Sequence, residues 1–202
     1  MEHVFSRRSF VQGAALSAGA VALIRTGLSP TPALAQGALP AGTVMSFAKA
    51  GVQFHTYISP AQAVYFTAHV IELGDQLLVV DASYLPPTAM ELAELIDSTG
   101  KPVHTAYVSH EHPDHWGGVS TLAELSFVTL PEIREGLRAE ATNGENPEPT
   151  SLLNGSDLAL GETSIGGVPV EFRTYDNAEA PKTIVTVLPE QKVAVVQDLV
   201  FN

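Results

Sequence analysis

Within six consecutive residues the chain carries three histidines and two carboxylates, His110-Glu111-His112-Pro113-Asp114-His115. Imidazole and carboxylate are metal ligands, and zinc takes them at about 2.0–2.2 Å. The sequence contains no cysteine, so a bound metal must be held by nitrogen and oxygen alone. In an extended segment alternate side chains share a face, which points His110, His112 and Asp114 the same way. A kink at Pro113 and a turn at Trp116-Gly117-Gly118 then swing His115 inward. These spacings predict a metal-ligand set rather than a polar loop with incidental histidines. Trp116 is a candidate for lining a substrate entrance or for packing.

Regular elements must present this motif. Val64–Leu73 and Gln76–Asp81 are β-rich runs separated by Gly74-Asp75, a two-residue hairpin signal. Pro86-Pro87-Thr88 open a helix whose apolar face is Met90, Leu92, Ala93, Leu95 and Ile96, with Gly100 just past its end. Val103–Ser109 reads as a buried strand running straight into the histidines. A second helix is expected from Gly117-Gly118, a short strand over Phe127–Leu130, and a third helix from Pro131 to about Ala141. Asn143–Ser156 has no periodicity and reads as a surface loop. Strands follow at Leu158–Leu160, Val168–Tyr175, Thr183–Leu188 and Val193–Gln197. Strands and helices alternate early and strands dominate late, which predicts a layered α/β domain with mixed sheets.

With 202 residues, 45% of them hydrophobic and 16% charged, the chain can bury a single-domain core. A formal net charge of −12 without a Lys/Arg cluster argues against a nucleic-acid partner. Ser6-Arg7-Arg8-Ser9-Phe10-Val11-Gln12 resembles the twin-arginine export motif. The apolar stretch Val11–Ile24 is short for a bilayer span and stops at Arg25. Ala33-Leu34-Ala35 supplies a small-x-small cleavage site. The expectation is a signal peptide over 1–35, the export machinery as partner, a mature domain over 36–202, and a periplasmic or secreted location. An uncleaved membrane anchor is the alternative.

Ser109-His110-Glu111-His112-Pro113-Asp114-His115-Trp116-Gly117-Gly118 resembles the His-x-His-x-Asp-His signature of metallo-β-lactamase-fold hydrolases. The similarity extends to the Gly74-Asp75 hairpin, the strand end Val79-Val80-Asp81 and the late strands. It implies an αββα four-layer sandwich with two divalent metal ions at one edge of its two sheets. Zinc is the first expectation, with manganese or iron as alternatives. His110 and His112 would serve the first metal, Asp114 and His115 the second, and Asp81 would support the ligands from behind.

The family usually supplies a third histidine in Gly-His-Thr, then a strand, Leu-Pro, a second strand and Gly-Asp. Here the corresponding stretch is Ala178-Glu179-Ala180-Pro181-Lys182-Thr183, Leu188-Pro189, and Val193-Ala194-Val195-Val196-Gln197-Asp198. Aligned on Leu188-Pro189, Glu179 takes the position of that histidine and Asp198 that of the metal-bridging aspartate. Glu-Ala-Pro before a strand is similar to the alkylsulfatase-like branch, in which a glutamate replaces the histidine. The family's last ligand, a histidine downstream of the bridging aspartate, has no counterpart before Asn202. The expectation is therefore a domain lacking its C-terminal part. His55, His69 and His104 match no ligand position and are read as ordinary core or surface histidines.

The implied activity is hydrolysis of a small-molecule ester, lactone, sulfate or phosphate ester or similar bond by a metal-held hydroxide. Asp114 would both bind a metal and orient the nucleophile. A non-catalytic metal- or partner-binding domain with a degenerate site is the reading from another class, and a mononuclear iron oxygenase is a further one.

Overall fold

The computed structural model describes residues 39–143 and 149–200, and the expected signal peptide over 1–35 lies outside the described residues. The chain enters through a hairpin of β1 (Thr43–Lys49) and β2 (Val52–Ile58). Ala50 and Gly51 form its turn at φ 47° and 79°, the left-handed pair whose twist matches antiparallel strands. The strands expected from the sequence start only at Val64, so this hairpin has no counterpart among them. The next strand also starts later than expected. Val64 and Tyr65 adopt φ 64° and 53°, closing a turn in which Ser59 Oγ donates to the Ala63 carbonyl at 2.7 Å. Strand β3 therefore runs Thr67–Leu73.

Gly74-Asp75 connects β3 to β4 (Gln76–Val80) as the expected hairpin. Helix α1 (Pro86–Ser98) starts on its two prolines, stops before Gly100, and buries Leu92 and Ile96. Strand β5 (Val103–Tyr107) returns parallel to β4, and β6 (Phe127–Val128) lies parallel to β5. The first sheet thus has the order β1-β2-β3-β4-β5-β6.

The expected second helix starts earlier than predicted. It is a single turn, α2 (Pro113–Trp116), with proline in its first turn, and Gly117-Gly118 belong to the turns that follow. The extended conformation expected through Asp114 accordingly ends at His112, the N-cap, with φ −68° and ψ 137°. Helix α3 (Pro131–Asn143) follows. The stretch read as a loop contains one further turn, α4 (Thr150–Leu153). One turn is too short to show periodicity, but Leu152 and Leu153 are buried. Arg134 fixes this region by bonding the Leu152 and Ser156 carbonyls and Asp157.

Leu158–Leu160 do not form the strand expected there. Leu158 N–H donates to the Thr129 carbonyl at 3.0 Å, and regular pairing begins only at β7 (Gly161–Ile165). With β8 (Val168–Asp176), β9 (Lys182–Leu188) and β10 (Val193–Val195) it builds an antiparallel sheet ordered β10-β9-β8-β7. Gln197 leaves the expected strand run and enters a short 3-10 turn.

The two sheets meet through buried side chains. The Tyr107 ring packs edge-on to Phe172 with centroids 5.6 Å apart, and its hydroxyl bonds Thr186 Oγ1 at 2.7 Å. Ile184 N–H donates to the Ser109 carbonyl at 2.9 Å, joining β9 to the residue that opens the histidine motif. The histidine motif follows β5 of the first sheet, while Glu179 and Asp198 flank β9 and β10 of the second.

Candidate metal centre

Asp81 organises the site. It ends β4 at φ 67°, a left-handed conformation that costs a non-glycine residue about 1–2 kcal/mol, and its side chain is wholly buried. Its Oδ1 accepts from Ser109 N–H at 2.6 Å. Its Oδ2 is bonded by Ser109 Oγ at 2.9 Å, by His115 Nδ1 at 2.7 Å and by the Gln197 side-chain amide. A buried carboxylate needs such donors, because removing its charge from water is otherwise prohibitive.

The direction of these bonds fixes the tautomers of two histidines. A carboxylate accepts, so His115 carries its proton on Nδ1 and Ser109 Oγ–H points at Asp81. Ser109 Oγ then accepts from His110 Nδ1 at 2.9 Å. Both imidazoles consequently direct the lone pair of Nε2 away from the Asp81 cluster. That is the orientation a metal ligand needs, set by the residues behind it.

The Nε2 atoms of His110 and His115 converge with other donors. His110 Nε2 lies 3.2 Å from His112 Nδ1 and 4.0 Å from Asp198 Oδ2, and His112 Nδ1 lies 3.8 Å from Glu179 Oε1. His115 Nε2 lies 3.7 Å from Asp114 Oδ2 and 3.4 Å from Asp198 Oδ2. Two ligand groups result, His110-His112-Glu179-Asp198 and Asp114-His115-Asp198, each with its ligand atoms within 4.8 Å of one another. Asp198 belongs to both.

The donor set fits divalent metals. His115 Nε2 is buried and makes no hydrogen bond, an unpaired buried polar atom that calls for a partner. Burial of His115 by itself favours the neutral ring, yet the Asp81, Asp114 and Asp198 carboxylates override it and raise its pKa well above the ordinary value. Without metal these carboxylates favour a second proton on His115 Nε2, and a metal cation would take the place of that proton and leave the Nε2 lone pair as its ligand. Nitrogen and oxygen donors without thiolate suit zinc, manganese and iron alike.

Local packing holds these ligands in place. Gly117 and Gly118 cross the Ala82–Tyr84 backbone so closely that an added Cβ would stand 2.3 Å from the Tyr84 carbonyl oxygen and 2.0 Å from that of Ala82. Ala82 N–H in turn donates to the His115 carbonyl at 2.8 Å. Trp116 is buried and its indole N–H donates to the Glu111 carbonyl at 2.8 Å, so it packs the core and does not line an entrance. His110 and His115 are enclosed, whereas the His112 and Glu179 side chains are 31% and 24% exposed. The centre opens to solvent on that side.

A family model described as the metallo-β-lactamase superfamily matches residues 67–202. The chain belongs to the metallo-β-lactamase superfamily. Solved structures agree on the fold. A metallo-β-lactamase from Pontibacter korlensis is 19% identical with a TM-score of 0.58, covering 76% of this chain and 69% of its own. The metallo-β-lactamase FIM-1 from Pseudomonas aeruginosa, in its mono-zinc form, is 22% identical with a TM-score of 0.56, covering 77% of this chain and 68% of its own. The mixed α/β architecture of two sheets is the fold expected from the sequence.

As a superfamily member the chain brings together every site residue singled out from its sequence: His110, His112, Asp114, His115, Glu179, Asp198 and, behind them, Asp81. Two neighbours were not singled out. Gln197 bonds Asp81 and His69, and His69 joins the network although its sequence position suggests only an ordinary histidine. The signal for Gln197 was present, since it stands where the superfamily usually has glycine before the bridging aspartate. His55 bonds Ser46 and Glu72 on the sheet surface, and His104 bonds Thr105, both remote in role from the centre.

Proposed function

We propose that this protein is a metal-dependent hydrolase acting on an ester, lactone, sulfate or phosphate ester of a small molecule. The observation that carries this reading is the pair of ligand groups sharing Asp198. His110, His112 and Glu179 would hold one metal, Asp114 and His115 the other, and Asp198 would stand between them. Held there, two divalent ions, zinc foremost, would supply the Lewis acidity that acidifies water and polarises the bond to be cleaved.

The chain's own groups do the rest. The Asp114 carboxylate, beside His115 Nε2, is placed to orient a water molecule and accept its proton. Asp81 keeps the His115 proton on Nδ1, so that this ring stays a donor of its Nε2 lone pair. His112 and Glu179, the exposed members, border the opening through which a substrate reaches the buried histidines.

The test is turnover by metal-replete protein on a chromogenic panel of carboxylic esters, lactones, phosphodiesters and alkyl sulfates, with a β-lactam included because the structural neighbours carry that name. Activity that disappears with chelation and with Asp114→Asn is expected. Full metal occupancy without turnover of any member would instead favour a binding role. Export by the twin-arginine route belongs to the same proposal, supported by Arg7-Arg8 and the Ala33-Leu34-Ala35 site. Replacing both arginines should leave the protein in the cytoplasmic fraction.

A further inference from the structure

Gln197 adopts φ 46°, the left-handed region that glycine enters freely and other residues enter at a cost. A glutamine there must be held by what its side chain does. Its amide nitrogen donates to Asp81 Oδ2 and, at 3.5 Å, towards the Thr67 carbonyl. Its amide oxygen therefore accepts, and the partner is His69 Nε2 at 3.0 Å. With that proton on Nε2, His69 Nδ1 accepts from the Thr56 hydroxyl at 3.0 Å. The bonds run in one direction without a break, from Thr56 through His69 and Gln197 to Asp81, and Asp81 holds His115.

This chain of bonds crosses the sandwich at the site. Thr56 and His69 sit on β2 and β3 of the first sheet, whereas Gln197 follows β10 of the second and directly precedes Asp198. Asp198 carries the carboxylate common to both ligand groups. Its position is set by the one turn in which Gln197 is strained and tied at both ends of its amide.

The geometry points to Gln197, braced by His69, as a positioning residue that sets the Asp198 carboxylate between the two ligand groups and thereby tunes the centre's affinity for metal. The inference rests on the metal-centre reading above. Glycine at this position would satisfy the backbone but remove the side-chain anchor of the turn that carries Asp198 and leave Asp81 short of one donor. Residues behind metal ligands change affinity by roughly 10–100-fold when lost.

The experiment is zinc binding to the full chain by competition with a chromophoric chelator, together with the visible spectrum of the cobalt-substituted protein. Gln197→Gly should fold, because it relieves the backbone, yet bind zinc roughly 10–100-fold more weakly with shifted cobalt bands. His69→Ala should weaken binding in the same direction. His69→Gln, which can still donate to the Gln197 amide oxygen, should recover much of that loss. Parent-like zinc affinity and cobalt bands in Gln197→Gly would overturn the positioning role while leaving the metal centre intact. Affinity losses that follow the thermal stability of the metal-free variants, without recovery in His69→Gln, would also overturn it. A parent protein that binds no zinc would overturn both readings.

Discussion

His115 Nδ1 and Asp81 Oδ2 are joined at 2.7 Å in the buried heart of the site. The bond ties a residue at the end of β4 to one on α2, and it decides which imidazole nitrogen faces the cavity. The same carboxylate serves Ser109 and Gln197, so one side chain orients two histidines and the turn that carries Asp198.

Replacing Asp81 should therefore act on metal binding more than on any single contact. Asp81→Asn keeps the shape but presents a donor to at least one of four donors. Zinc affinity is expected to fall roughly 10–100-fold, and each buried donor left unpaired should cost about 1–3 kcal/mol of stability. Chelator competition and denaturant unfolding measure the two effects separately. Unchanged zinc affinity would refute the orienting role.

Glu179 gives a contrasting case. It sits in the turn before β9 with its side chain 24% exposed. Glu179→Ala should leave metal-free stability within about 0.5 kcal/mol while lowering metal content at the His110-His112 group. Glu179→His should restore it and shift preference toward zinc, since imidazole replaces a harder oxygen donor. Metal analysis of the purified variants decides the matter, and full metal content in Glu179→Ala would sink the ligand assignment.

Removing the metals should unmask carboxylate repulsion, because Asp81, Asp114 and Asp198 crowd around His115. At metal concentrations about a thousandfold above Kd, binding adds about 4 kcal/mol to folding stability. Dialysis against a chelator should lower the thermal midpoint, and zinc should restore it. A midpoint indifferent to chelation would contradict a metal centre built across both sheets.

His69 makes a prediction about pH. Burial depresses its pKa below the ordinary 6.5, outweighing the opposing help of Gln197 and Asp81. A depressed folded value means that the unfolded chain takes up the proton first. The contribution of His69 is therefore present above about pH 6.5 and is lost as pH falls through the lowered folded value. His115 has the opposite sign: its raised pKa stabilises the metal-free fold at low pH and loses that effect as pH rises. Comparing metal-free parent with His69→Gln isolates the His69 proton together with its coupling to His115, whose charge also lowers the His69 pKa. The parent should lose more stability than the variant between about pH 7.5 and about pH 5. Parallel denaturant midpoints across that range would exclude a neutral buried His69.

Gly118→Ala should damage the site from a distance. The new methyl would meet the Ala82 carbonyl oxygen at 2.0 Å, and forced overpacking of this kind costs about 1–3 kcal/mol. Because Ala82 N–H also holds the His115 carbonyl, zinc affinity should fall together with the unfolding midpoint. Parent-like values of both would mean that the α2 turn relaxes freely.

How much of this was legible in the sequence follows from where the information sits. The histidine motif and Asp81 are local signals at strand ends, and hydrophobic patterning located the strand before each. Glu179 and Asp198 were found by counting from Leu188-Pro189, which works because a short β-hairpin tolerates no slip in register. The β1–β2 hairpin escaped because every residue of β1 is exposed, so no alternation marks it. The start of α2 was expected at Gly117 rather than Pro113 because one turn has no period, and only its proline advertised it. The Thr56–His69–Gln197 series depends on the sheets meeting, which no local pattern encodes.

The placement of the ligands has a consequence for the order of assembly. The four ligands of the histidine motif lie within six residues of one another in the chain, whereas Asp198 reaches them only once the second sheet docks. Early in folding the chain could offer a metal no more than a weak, partial grip. A tightly held ion would therefore report that the long-range closure between the sheets is complete, and captured zinc should appear at the end of refolding rather than at its start.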